Sequence, residues 1–118
     1  MREVRFYRTA SGRSPIEEFL DSLPGKQAQK VVWVLRLVEE LDHVPAEYLS
    51  KLAGTDDLWE VRSQHTGNEY RLLGFFDDPG VLVLTNGFAK KTRKTPKQAI
   101  RLAAERRKDY LDRGMGDE

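Results

Sequence analysis

The chain contains no cysteine. That absence removes disulfide staples, thiolate zinc sites, Cys-x-x-Cys redox chemistry and a cysteine nucleophile together. Histidine is almost as scarce. His43 and His65 are the only two, and neither has carboxylates at ligand spacing, so no metal site and no cofactor is expected. Long apolar runs are missing too: residues 31–35 form the longest and stop at Arg36, far short of the ~20 residues of a membrane span. The first five residues carry charge where a secretory leader needs its apolar stretch, which points to a cytosolic protein with no membrane contact. No Gly-x-Ser-x-Gly elbow occurs. The segment Gly87-Phe88-Ala89-Lys90-Lys91-Thr92 lacks the second glycine of a phosphate-binding loop.

What is present describes one ordinary globular domain. The 118 residues are 39% hydrophobic and 33% charged, room for a single core. The reading is one domain over residues 1–113 and a short tail over 114–118. Net charge is +1, but its distribution is uneven. Residues 14–57 hold nine acids against four bases, whereas residues 86–108 hold nine bases and one acid, Glu105. Such a basic end attracts polyanions.

The pattern predicts a strand over residues 3–9. A helix then starts at Ser14-Pro15-Ile16-Glu17, with Ser as cap, Pro in the first position and Glu three residues on. Pro24-Gly25 ends it. A longer helix over 26–41 follows, with Val31, Val34, Leu35 and Val38 on one face. Residues 58–63, 69–76 and 81–88 read as strands separated by turn clusters. Connections that short make an antiparallel meander. Thr95-Pro96 opens a last helix to about residue 112. The order β-α-α-β-β-β-α is a two-layer α+β domain with helices on a small curved sheet, leaving the other face for binding.

The candidate chemistry is cationic. Arg62 and Arg71 fall inside adjacent strands, and Lys90, Lys91 and Arg93 follow the last one, extended by Lys94 and Lys97. His65, Tyr70 and Tyr110 are within possible reach. Guanidinium forks grip phosphate and lysine adds a mobile charge; aromatic rings beside them stack unpaired bases. An equally good account pairs each arginine with an acid such as Glu60 or Glu69 across the sheet.

The strings Leu58-Trp59-Glu60-Val61-Arg62, Tyr70-Arg71-Leu72-Leu73 and residues 87–96, Gly-Phe-Ala-Lys-Lys-Thr-Arg-Lys-Thr-Pro, together resemble the HigB-like, phage-derived branch of the RelE/ParE superfamily of type II toxin–antitoxin toxins. The resemblance spans nearly the whole chain. It implies a ribosome-dependent endoribonuclease that cuts mRNA during translation and is neutralised by a cognate antitoxin, a small helix-turn-helix protein. DNA would be met only through the antitoxin complex. By position, Arg62 and Arg71 fall on the arginines of the family's active face, and Lys90, Lys91 and Arg93 on its basic segment. Two departures stand out: this chain is near neutral where relatives are often basic, and it lacks their C-terminal His/Tyr/Asp cluster.

With no metal-ligand spacing in the sequence, cleavage would run by 2′-hydroxyl attack. Lys90 or Lys91 would be the base, Arg62 and Arg71 would stabilise phosphate charge, and Arg93 or His65 would stand near the leaving oxygen. On this reading Arg71→Ala silences the protein without unfolding it. The alternatives are a gyrase-poisoning toxin that acts by binding, and a non-catalytic RNA- or protein-binding relic.

Overall fold

A computed structural model describes residues 1–91 and 95–114. Eight elements follow in order: β1 (Glu3–Phe6), α1 (Pro15–Asp21), α2 (Gly25–Glu40), β2 (Leu49–Lys51), β3 (Leu58–His65), β4 (Asn68–Asp78), β5 (Val81–Ala89) and α3 (Lys97–Asp112). The strands form one five-stranded sheet in the order β1-β5-β4-β3-β2. The expected α+β domain is present, with the meander β3-β4-β5 at its centre. β1 adds to it in parallel, Glu3 beside Val81 through Phe6 beside Leu84. β2, which the sequence pattern does not announce, adds to the other edge against β3.

Local signals account for most boundaries. The Ser14 hydroxyl accepts the Glu17 N–H at 3.3 Å and Pro15 holds the first helical position of α1. Thr66 and Gly67 both take positive φ, 47° and 81°, which matches the twist of the β3–β4 hairpin. The expected cap of α3 is different. Pro96 occupies the N-cap position, and the Thr95 hydroxyl instead donates to Glu60 Oε2 at 3.5 Å.

β4 lies at the centre of the sheet and is buried continuously from Tyr70 to Phe75. A central strand covered on both faces loses the apolar/polar alternation of a half-wet one. On one face, α1 and α2 bury Ile16, Val31, Val34 and Val38 against Val61, Leu72, Leu82 and Leu84. The opposite face is not open along its length: Ala103 and Tyr110 of α3 pack there with Leu58, Leu73, Phe75 and Val83. At its other end that face carries charged and polar side chains.

Gly87 lets α1 approach β5 closely. A Cβ there would stand 2.6 Å from Phe19 Cδ2. Gly87→Ala is expected to displace α1 and cost about 1–3 kcal/mol, read from the urea midpoint. An unchanged midpoint would contradict so tight an approach.

Candidate functional site

β3 sends Leu58, Glu60, Arg62 and Gln64 to the α3 face, and β4 sends Glu69, Arg71, Leu73 and Phe75 there. In register, Arg62 lies directly opposite Arg71 and Gln64 opposite Glu69. Two facing arginines repel unless an acid lies between them. Glu60 is that acid. Both its oxygens accept Arg71 Nη1 at 2.7 Å, and Oε1 also accepts Arg62 Nε at 3.0 Å, with Arg62 Nη2 at 2.8 Å. Glu69 takes the other side of Arg71, with Nε at 2.8 Å and Nη2 at 2.7 Å from Oε2.

Burial separates the two arginines. The Arg71 side chain is 6% exposed between its two carboxylates, whereas Arg62 keeps 36%. The Arg71 guanidinium, expected to meet phosphate, is enclosed and already paired with both carboxylates, so that it fixes Glu60 and, through it, Arg62. That enclosure also changes what Arg71→Ala should do.

Lys90 follows the end of β5. Its backbone N–H donates to the Glu69 carbonyl at 2.8 Å, and its ammonium stands 3.8 Å from Glu69 Oε2. Lys91 is exposed next to it, and Lys97 is exposed in the first turn of α3. Arg93 and Lys94 lie outside the described residues. His65 is half-buried at the tip of the β3–β4 hairpin. Tyr70 does not join the group: it points to the α1/α2 face, buried edge-on against Phe19 with ring centroids 6.1 Å apart. Tyr110 is fully buried on Phe75, and its hydroxyl accepts Arg5 Nη1 at 2.6 Å. Strand alternation accounts for Tyr70, and packing of the last helical turn for Tyr110.

Part of the basic end is likewise used structurally. Arg106 Nη1 donates to the Thr85 carbonyl at 2.8 Å, Arg107 lies over the Phe75 ring, and Lys108 pairs with Asp112. Among the described residues, the cations left toward the polar end of the sheet include Arg62, Lys90 and Lys91. Beside Arg62, Lys30 of α2 and Tyr48 border a hollow of about 220 Å³ with Gln64 and Glu69. Lys30 and Tyr48 escaped the sequence reading because they reach Arg62 through tertiary packing and the unannounced strand β2.

Glu69 is acidic for a physical reason. Burial pushes its carboxyl upward, but hydrogen bonds from Gln64 and Arg71 and the charges of Arg71 and Lys90 outweigh it and hold it below the usual range. A depressed folded pKa contributes stability that is complete above the unfolded value, about 4.3, and is lost as pH falls through the folded value. The stability gap between wild type and Glu69→Gln is therefore expected to be full near pH 6 and to narrow on descending toward pH 3. Thermal midpoints of both proteins across that range check this; a gap constant to pH 3 would contradict it.

The sequence model of Phage derived protein Gp49-like (DUF891) matches residues 18–108, from α1 through most of α3. The chain belongs to the Gp49-like family. That family sits within the RelE/ParE-like toxin superfamily. The matched region of this Gp49-like protein contains the whole cluster of Glu60, Arg62, Glu69, Arg71 and Lys90. No curated protein matches the sequence. None of the helices among the described residues is long and apolar enough to cross a membrane.

Proposed function

We propose that this Gp49-like protein is the toxin of a toxin–antitoxin pair, of the HigB-like kind, that cuts mRNA on translating ribosomes in the cytosol. The observation that carries the reading is the split between the enclosed Arg71 and the more accessible Arg62 and Lys91. Arg71 and two carboxylates form a buried cluster, and at its edge Arg62, paired with Glu60 but 36% exposed, is the arginine open to phosphate, with Lys90 and Lys91 beside it. Pre-positioned charge of this kind stabilises a transition state without reorganising at the moment of reaction.

In the proposed step, Lys90 or Lys91, acting as the neutral amine, takes the proton of a ribose 2′-hydroxyl, and the oxygen attacks the adjacent phosphorus. Arg62 stabilises the charge on the nonbridging oxygens. The bond to the 5′ oxygen breaks, and that oxygen takes a proton from His65, Arg93 or ribosome-ordered water. The products are a 2′,3′-cyclic phosphate and a 5′-hydroxyl. The ribosome contributes by holding mRNA in line for attack. Lys94 and Lys97 extend contact along the strand. An antitoxin is the corresponding partner.

Induced expression of wild type in growing cells is expected to arrest growth with fragmented mRNA, and Lys90→Ala/Lys91→Ala to abolish both. Arrest by the double variant with intact mRNA would instead favour a toxin that binds gyrase. The absence of any arrest by wild type would leave a binding relic.

A further inference from the structure

α2 turns Val31, Val34, Leu35 and Val38 toward the sheet, and the positions between them are expected to be polar. Arg36 is, but Val32 and Trp33 are not: Val32 is 38% exposed and Trp33 46%. Two hollows open along this strip: one of about 430 Å³ over Ala28, Val32 and Trp33, the other of about 300 Å³ where Val32 meets Val4, Phe6 and Leu20. Val32 and Arg36 line both, so the two hollows adjoin along one shallow groove. From Ala28 to Glu39 it runs about 17 Å at the helical rise, the length of some three turns of a second helix.

Charge around the groove has a direction. Arg36 borders both hollows, and Lys30 Nζ stands 4.3 Å over the Trp33 ring. Glu39 lies at the far end, where its Oε2 accepts the Val4 N–H at 3.4 Å. The groove is thus apolar at its floor and cationic around its tryptophan, a residue type enriched in the anchoring centres of protein interfaces.

We propose that this groove docks a helical segment of a partner protein, with apolar residues at i, i+4 and i+7 against Val32 and Trp33 and acidic side chains for Lys30 and Arg36. A second copy fits less well. A twofold axis at Trp33 would set Lys30 of each α2 against Arg36 of the other, and the attraction left to Lys26 and Glu40 lies at the ends. α2 covers the opposite face of the sheet from Arg62 and Arg71. The two surfaces meet at Lys30, which also borders the hollow beside Arg62; the readouts below separate the docking surface from the ribonuclease reading.

The test is selection from a display library of 14-residue helix-forming peptides on the intact protein, with affinities then measured in solution. Enriched peptides are expected to carry apolar residues at the stated spacing flanked by Asp or Glu. Val32→Glu and Trp33→Ala should each weaken them at least tenfold at an unchanged thermal midpoint. Lys30→Glu/Arg36→Glu should shift the preference to basic flanks. No enrichment, enrichment of basic peptides by wild type, or peptides that bind Val32→Glu as tightly would overturn the proposal. So would a wild-type dimer in light scattering that Val32→Glu dissolves, which would make a second copy the occupant. None of these readouts involves RNA or growth, so failure here and failure of the ribonuclease reading are distinguishable.

Discussion

Arg71→Ala is expected to lose up to about 3–5 kcal/mol of stability, because it removes the buried partner between Glu60 and Glu69 and leaves Glu60 paired only with the partly exposed Arg62. The Glu60 side chain is 3% exposed and depends on Arg71 for its bidentate contact. Against a total stability of about 5–15 kcal/mol for a domain of ordinary size, that loss brings the variant close to unfolding under growth conditions. Growth inhibition should then disappear together with the fold. A second variant separates the two effects. Arg71→Met with Glu60→Leu replaces the pair by apolar groups, which is often neutral for stability, so the fold should largely return. Activity should not, because Arg62 has lost the carboxylate that holds it. Melting temperatures of the two variants decide the matter: an Arg71→Ala protein that melts like wild type would mean that the Glu60 pair is not structural.

The second large effect is expected at Arg62, with the opposite signature. Its removal leaves Glu60 paired with Arg71, and a partly exposed ion pair contributes only about 0–1 kcal/mol. The thermal midpoint of Arg62→Ala should therefore stay near wild type. If Arg62 stabilises phosphate charge, cleavage should fall by roughly a hundred- to a thousandfold, by analogy with deletion of one oxyanion donor. Arg62→Lys should recover part of it, since a point charge replaces the fork but loses its two-pronged grip. Wild-type cleavage by folded Arg62→Ala would remove the proposed phosphate contact.

These opposite expectations for two neighbouring arginines mark where sequence reasoning stops. The meander and the three helices were legible because turns, caps and helical spacing are local signals. Ser14-Pro15, Thr66-Gly67 and the apolar face of α2 each act within a few residues. β2 was not legible: three residues, Leu49-Ser50-Lys51, are too few to show a period, and only pairing with β3 makes them a strand. The parallel docking of β1 beside β5 was equally hidden, since it joins residues nearly eighty positions apart.

At the site, residue types were legible and environments were not. Glu60 and Glu69 were recognisable as arginine partners, and both arginines were recognisable as unusual in strands. What the string could not tell was that Glu60 serves both arginines while Glu69 encloses only Arg71. Alternation sets Tyr70 on the face opposite Arg71, but it could not tell which face α1 and α2 would cover, because a central strand is apolar on both sides. The exposed Trp33 is hidden in the same way: it sits beside core valines in sequence, and helical phase alone moves it outside.

The most direct test of the ribonuclease reading is the chemistry of the ends it produces. Purified wild-type protein should be mixed with a defined mRNA, once free and once bound to translating ribosomes, and the fragments should be mapped. The account predicts cleavage on ribosomes and little on free mRNA, with 2′,3′-cyclic phosphate on the upstream fragment and 5′-hydroxyl on the downstream one. Intact mRNA on ribosomes, or fragments ending in 3′-hydroxyl and 5′-phosphate, would contradict it.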